Sequence, residues 1–274
     1  MTTARDLLGR MPSERIVIVT GDDLGLAHAT NVAVSDALSA GDLDGASLLV
    51  PAPWSREAIV RYHGEAVGVQ LALTAEHALY RWGPITAAPS LHGGDGGFPT
   101  TVDDLLNHAD VDDVRRELRA QIERAILWGF DISYLCCHHD AALLRPEYFD
   151  VVLGLAVDFQ LPLRLAALPE DRLGFPARQL ATDEGVFSPD AVVHLGPADD
   201  VAAVVEGLSA GLTEIVMRPG AESRELTALA TDAPARVLDT RRLSDGALDA
   251  ALGRSGILRT TYRALRTAQR QALS

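Results

Sequence analysis

Short apolar runs alternate with amphipathic stretches along most of the chain. Residues 15–20 form a near-continuous apolar run, as in a parallel strand buried on both faces. Residues 30–40 follow with a helical pattern that ends at Gly41. Further strands are predicted over 46–50, 66–73, 132–137, 162–166, 192–195, 213–217 and 257–261, and further helices over 54–63, 111–126, 146–159, 201–210, 224–231, 244–253 and the C-terminal end.

Seven or eight such strand–helix units predict an α/β protein with a parallel sheet and helices outside it. Both an open doubly wound sheet and a (β/α) barrel satisfy this order. A dinucleotide-binding doubly wound domain has Gly-x-Gly-x-x-Gly after its first strand, whereas residues 20–25 read Thr-Gly-Asp-Asp-Leu-Gly. Because the two carboxylates would repel a pyrophosphate, we predict a TIM-like (β/α) barrel, distorted or seven-stranded.

One segment interrupts the alternation. Residues 84–110 are rich in proline and glycine, which predicts a long irregular insertion after the third strand. In a barrel this insertion would lie over the C-terminal mouth, where barrel enzymes hold their substrates. We therefore expect a single domain over residues 1–274, with 84–110 as an active-site loop.

The charge and cysteine content narrow the class of partner. The formal net charge is −14, which argues against binding to nucleic acid or to an anionic membrane. Residues 1–12 lack the apolar run of a secretory signal, and the adjacent Cys136 and Cys137 read as reduced thiols. We expect a cytoplasmic protein with a small-molecule substrate; a homo-oligomer is compatible with the sequence.

Two strand ends carry candidate chemistry. Asp22 and Asp23 follow the first strand, where one carboxylate could hold a divalent cation and the other could take a proton from water. A helix cap and a turn residue are the alternative reading of this pair. His138 and His139 follow the strand over 132–137, and imidazole is a preferred zinc ligand, although such a pair is also common as a structural or solvated feature. His77 follows the third strand closely. Neither a nucleophile elbow nor a phosphate-binding loop occurs in the sequence.

These motifs, taken in order, resemble the YdjC-like (ChbG/HpnK) carbohydrate deacetylases. The opening Ile-Val-Thr-Gly-Asp-Asp-Leu-Gly-Leu of residues 18–26 resembles that family's first strand with its Asp-Asp pair. Residues 67–74, Val-Gly-Val-Gln-Leu-Ala-Leu-Thr, resemble its Val-Gly-x-His-x-x-Leu-Thr strand. Residues 135–138 stand where the family has Leu-Asp-Ser-His, and residues 214–220 where it has Glu-x-x-x-His-Pro-Gly.

The resemblance implies a metal-dependent hydrolase that removes the acetyl group from an N-acetylated sugar. Carried over by position, Asp22 would be the catalytic base, and Asp23 and His138 would be ligands to a divalent metal, zinc or magnesium. A bound metal would lower the pKa of its water and polarise the amide carbonyl.

Three positions depart from the family pattern. Gln70 replaces a histidine ligand, Cys136 replaces an aspartate, and Arg218 replaces the histidine of His-Pro-Gly. Glutamine is a poor zinc ligand, so Gln70 is a doubtful member of the metal site. Arginine cannot act as an acid–base group near neutral pH but can stabilise an oxyanion or bind an anion, which makes Arg218 a candidate catalytic residue.

Two consequences of these departures are considered. The metal site could recruit His139, His77 or Cys136. Alternatively, the protein has lost the usual metal site and binds or transforms an anionic small molecule, held by Arg218, without metal. A non-catalytic partner protein is a further alternative.

Overall fold

The computed structural model describes residues 3–165 and 173–273. Its strands are β1 (Arg15–Leu24), β2 (Gly45–Leu48), β3 (Val67–Leu71), β4 (Ile132–Cys137), β5 (Ala191–His194), β6 (Gly211–Met217) and β7 (Leu258–Arg259). The helices are α1 (Ala4–Leu7), α2 (His28–Ala40), α3 (Ser55–Ala58), α4 (Val102–His108), α5 (Val111–Leu127), α6 (Pro146–Asp158), α7 (Ala177–Asp183), α8 (Val201–Glu206), α9 (Arg224–Leu229), α10 (Ala233–Ser244), α11 (Ala247–Arg254) and α12 (Tyr262–Ala272). Three 3-10 turns occupy Ile59–Arg61, Pro89–Leu91 and His138–Leu143.

All strand pairs of the sheet are parallel, in the order β4-β3-β2-β1-β6-β5, and β7 also pairs with β1. Beyond β4, Leu163 forms an isolated parallel bridge with Leu135, and its N–H donates to the carbonyl oxygen of Phe187 at 3.1 Å. These contacts extend the sheet from β4 toward the β5 side, so the sheet curls on itself. The predicted seven-stranded, distorted (β/α) barrel is confirmed.

The two faces of β1 bury different cores. Ile16 and Ile18 belong to an inner cluster that includes Tyr134 of β4 and Tyr262 of α12. Val17 and Val19, which alternate with them, belong to the larger cluster that the strands form with the outer helices. This alternation follows from the two-residue period of a strand, and it explains why residues 15–20 are apolar at nearly every position.

Several predicted elements differ in extent. The strand predicted over 162–166 is reduced, within the described residues, to the single bridge at Leu163; residue 166 lies outside the described residues. The helix predicted over 54–63 is one short helix and a 3-10 turn, and the stretch around 244–253 is preceded by a helix, α10, that was not predicted.

The segment 84–110 contains more regular structure than its composition suggests. It holds the 3-10 turn Pro89–Leu91 and helix α4, whose first turn is capped by Thr101 through a 3.2 Å bond from the Asp104 N–H. Glu117 of α5 accepts hydrogen bonds from the backbone N–H groups of Ile85 and Thr86 at 3.1 and 3.0 Å, which fixes the start of the segment. The expectation of an irregular insertion was therefore wrong in this respect.

None of the helices within the described residues is both long and apolar enough to span a bilayer.

Candidate active site

A cavity of about 620 Å³ opens at the carboxyl end of the strands. Its wall includes Asp22 and Asp23 from β1, Gln70 from β3, and His138 directly after β4. The predicted convergence of the first and fourth strand ends is confirmed, because Asp23 Oδ1 lies 3.9 Å from His138 Nδ1. Between β3 and β4, residues 76–79 line the cavity, whereas residues 84–110 do not. The role of 84–110 as an active-site loop stays a prediction.

Asp22 is held by a buried arginine. Arg164 Nη1 donates to both oxygens of Asp22, at 3.0 and 2.8 Å, and Ser47 Oγ donates to Asp22 Oδ1 at 2.6 Å. The same guanidinium contacts Glu214 through Nε at 2.9 Å and through Nη2 at 2.5 Å. Tyr262 Oη also donates to Glu214, at 2.5 Å. Arg164 is thus shared by two buried carboxylates, of which Asp22 lines the cavity.

Asp23 has a different environment. Its Oδ2 accepts a 2.7 Å hydrogen bond from Arg236 Nη2, and its Oδ1 accepts one of 3.0 Å from Gln70 Nε2. Burial alone would raise the pKa of Asp23, but the charges of Arg236 and His138 and these hydrogen bonds hold it well below its usual range. Asp23 is therefore an anion at any pH at which the protein would work. Its φ of 65° lies in the left-handed region, which is unusual for a residue with a side chain.

The orientation of the Gln70 amide is fixed by its neighbours. Its Oε1 accepts from the Asp23 N–H at 3.1 Å. The amide nitrogen must then point the other way, toward Asp23 Oδ1 and, at 2.9 Å, His138 Nδ1. Gln70 thus places N–H groups, not its oxygen, between the two predicted metal ligands. As oriented it is not a ligand.

Glu76 links the histidines of the cavity. Its Oε2 lies 3.0 Å from His138 Nε2, and its Oε1 lies 3.7 Å from His139 Nε2 and 3.4 Å from His77 Nε2. Burial would raise the pKa of Glu76, but the hydrogen bond and charge of His138, with the charge of His139, lower it to about 2. His77 Nε2 is buried and has no hydrogen-bond partner among the described residues.

The remaining predicted site residues are placed apart from this cluster. Arg218 lies on the cavity wall with its side chain half-exposed, and its Nη1 pairs with Asp232 at 3.1 Å. Cys136 lies in the inner core, where burial raises the pKa of its thiol and its Sγ contacts the carbonyl oxygen of Val69 at 3.8 Å. It does not line the cavity, so the suggestion that Cys136 is recruited as a metal ligand is not supported.

Two of the predicted ligands fit a cation well. Asp23 Oδ1 and His138 Nδ1 are close enough to bind one ion, because bond lengths near 2.1 Å allow ligand atoms up to about 4 Å apart. Of the described residues, Glu76, His138 and His139 form a second group, with one ligand atom each within 4.8 Å of the others. The donor set of this cavity therefore suits a divalent cation, whose remaining positions would be filled by water or substrate.

Comparisons with known proteins agree with the geometry. The YdjC-like protein family matches residues 16–254. A carbohydrate deacetylase of Geobacillus stearothermophilus is 28% identical over 91% of this chain and 97% of its own length. A carbohydrate deacetylase of Thermus thermophilus is 37% identical over 62% of this chain, an alignment that spans 61% of that protein. A solved structure from Enterococcus faecalis V583, described as a candidate cellobiose-phosphate cleavage protein, superposes with a TM-score of 0.81 at 23% identity, over 92% of this chain and 99% of that one.

The structural likeness establishes the fold, and the sequence match covers every strand end that lines the cavity. This chain belongs to the YdjC-like protein family.

Proposed function

We propose that this protein is a metal-dependent amide hydrolase that removes the acetyl group from an N-acetylated sugar or a sugar-bearing metabolite. The observation that carries the proposal is the meeting of Asp22, Asp23 and His138 in one cavity at the carboxyl end of the barrel strands. Relatives of this chain are named carbohydrate deacetylases, which supports a sugar amide as substrate. The cation would be zinc or magnesium.

Each residue has a role that its contacts support. Asp22 would accept a proton from the attacking water, and Arg164 would keep the carboxylate oriented through two hydrogen bonds. Asp23 and His138 would hold the cation, which supplies charge to polarise the acetyl carbonyl and to acidify water when it is bound. Arg218, half-exposed on the wall, would donate to the negative charge that develops on the acetyl oxygen.

The alternative of a metal-free protein that binds an anionic ligand through Arg218 is not favoured. A relative that matches most of the chain is named a carbohydrate deacetylase. The unpaired, buried thiols of Cys136 and Cys137 are compatible with the cytoplasmic location that we propose.

The test is acetate release by purified protein from N-acetylated mono- and oligosaccharides, measured after chelation and after readdition of Zn²⁺ or Mg²⁺. Asp22→Asn keeps the size of the side chain and one acceptor oxygen but removes the base, and should lower kcat by about 10²- to 10⁴-fold. The exposed Asp36→Asn is the matched control and should leave kcat unchanged. Absence of acetate release from the whole panel with either metal, or full activity of Asp22→Asn, would contradict the proposal.

A further inference from the structure

The two ring nitrogens of His138 have different partners. Nδ1 lies 2.9 Å from Gln70 Nε2 and 3.9 Å from Asp23 Oδ1, whereas Nε2 lies 3.0 Å from Glu76 Oε2. The imidazole is buried, so these contacts decide its hydrogen bonding. Glu76, whose side chain is 29% exposed, lines the same cavity, and so does His139, whose ring stacks on that of His138 with 4.1 Å between the centroids.

The contacts of Gln70 assign the tautomer of the ring. The amide oxygen accepts from the Asp23 N–H, so the amide nitrogen is the donor that faces His138 Nδ1. An Nδ1 that accepts a hydrogen bond carries no hydrogen, so the neutral ring, the form that can bind a cation, has its one hydrogen on Nε2, directed at the Glu76 carboxylate. The lone pair of Nδ1 faces Gln70 Nε2, which also donates to Asp23 Oδ1, so a shared ion would take the place of these N–H groups.

We propose that Glu76 is a positioning residue for the metal site: by accepting the Nε2–H of His138 it fixes the ring orientation and keeps Nδ1 without a hydrogen, so that Nδ1 can bind the cation shared with Asp23 once the Gln70 N–H is displaced. This inference rests on the proposed function, since it concerns the same cation. A carboxylate behind a ligating histidine holds the tautomer and raises the basicity of the ligand, and losing such a partner typically weakens metal affinity by about 10- to 100-fold.

A rival arrangement places the ion on Glu76 itself, together with His138 Nε2 and His139. That arrangement would move the ring hydrogen to Nδ1, where it would face an amide N–H of Gln70, whose Nε2 lies 2.9 Å from Nδ1. Two donors facing each other in a buried site are unfavourable, because neither finds an acceptor. The positioning role keeps the tautomer of the ion-free ring and its hydrogen bond to Glu76, and the entering ion displaces the N–H groups of Gln70.

The test is calorimetric titration of the chelator-treated protein and its variants with Zn²⁺ and Co²⁺, with the Co²⁺ absorption spectrum as a second readout. Glu76→Ala should weaken affinity by about 10- to 100-fold, and Glu76→Gln should recover most of the loss, because an amide oxygen can still accept the Nε2–H. The Co²⁺ spectrum of Glu76→Gln should match the wild type, since the atoms bound to the ion are unchanged.

Two variants separate positioning from direct ligation. His139→Asn removes a ligand only in the rival arrangement, so affinity should stay within about twofold of wild type. His28→Asn is its matched control, because the side chains of His28 and His139 are 47% and 45% exposed and each lies beside a glutamate, at 3.6 and 3.7 Å. Asp23→Asn should abolish tight binding.

Three outcomes would overturn the inference. Loss of binding in both His139→Asn and Glu76→Gln would place the ion on Glu76. Unchanged binding in Glu76→Ala would show that Glu76 has no role in the metal site. Failure of the wild type to bind either ion would also overturn the inference. If such protein still releases acetate, the hydrolase activity is supported without the metal site. Tight ion binding without acetate release would contradict the proposed function but not the role of Glu76. Thermal unfolding of each ion-free variant identifies a folding defect, and His139→Asn, being half-exposed, remains informative if Glu76→Ala is unstable.

Discussion

Replacement of Arg164 by methionine should strongly destabilise the barrel. Its guanidinium lies between Asp22 and Glu214, and the three side chains are 6%, 10% and 0% exposed. Methionine keeps much of the side-chain length but leaves both carboxylates without their cation. Removing one member of a buried ion pair costs about 3–5 kcal/mol, chiefly because the remaining charge stays buried and unpaired. Here two carboxylates lose the same partner, so we expect a loss in the upper part of that range.

The measurement is urea unfolding followed by fluorescence or circular dichroism, with the free energy of unfolding extrapolated to water. Arg119→Met is the matched control, because Arg119 also pairs with two carboxylates, those of Glu123 and Asp158, but its side chain is 41% exposed. An exposed pair contributes about 0–1 kcal/mol, so this variant should be close to wild type.

A second variant checks the cause. Glu214→Gln removes one buried charge, so Arg164→Met added to it should cost at least about 1 kcal/mol less than Arg164→Met alone in the wild type. The reasoning is refuted if Arg164→Met unfolds within about 1 kcal/mol of wild type, or if its cost is the same with and without the Glu214 charge.

Three further predictions concern other parts of the molecule. Glu76→Gln should destabilise the ion-free protein by about 2 kcal/mol near pH 6, a value that is reduced because Glu76 is partly exposed. The pKa of Glu76 falls from 4.5 to about 2 on folding, so the stabilisation by its carboxylate is complete above pH 4.5 and is lost as the pH falls toward 2. The unfolding curves of the variant and the wild type should therefore converge in acid. Gln70→His should raise Zn²⁺ affinity by about tenfold or more, since an imidazole replaces an amide that presents only N–H groups. Equal Zn²⁺ affinities of the variant and the wild type in calorimetry would contradict the assigned amide orientation. Gly68→Ala should lower the free energy of unfolding by about 1–3 kcal/mol, because the new methyl would lie 2.5 Å from the Tyr134 ring, which stacks on Tyr262 at 3.8 Å. Gly154→Ala is the control in the same urea assay: Gly154 lies within α6, and a methyl there would have nothing within 4 Å. This variant should raise the free energy of unfolding by about 0.5–1 kcal/mol.

The barrel could be predicted because its strands have a clear local pattern. Residues 15–20 and 132–137 are mostly apolar runs; β4 forms with the predicted bounds, and β1 continues four residues further, to Leu24. The failures follow the same logic. Residues 162–166 are apolar apart from Arg164, yet Leu163 makes only a single bridge within the described residues, because strand formation depends on a neighbour whose position the local pattern does not encode.

The prediction for the segment 84–110 was wrong for another reason. Its many prolines and glycines suggested an absence of structure, but the helix signals were present as Thr101 and Asp110, each of which caps the first turn of the helix that follows it. Glu117 then binds backbone groups of the segment from α5, a contact between residues about 30 positions apart that composition cannot reveal.

The acidic half of the site could be predicted, whereas its basic half could not. Asp22 and Asp23 stand together at a strand end, where paired carboxylates are conspicuous. Their partners are Arg164, which lies inside an apolar run 142 positions away, and Arg236, which lies on a helix 213 positions away. Neither arginine has a local pattern that distinguishes it from the surface arginines, because its role depends entirely on which carboxylate the fold brings to it.

The identity of residue 70 does not by itself show how its side chain acts in the metal site. Its replacement of a family histidine is visible in the sequence and suggests a weaker ligand, since an amide oxygen binds zinc poorly. In the structure that oxygen is not available to a cation, because it accepts from the Asp23 N–H. The amide nitrogen therefore faces Asp23 Oδ1 and His138 Nδ1. An entering cation must therefore displace two N–H donors from the atoms it is to bind. The hydrogen bonds of Gln70 thus set the energetic cost of binding, and we expect affinity to respond more to changes at Gln70 than to changes at the exposed His139.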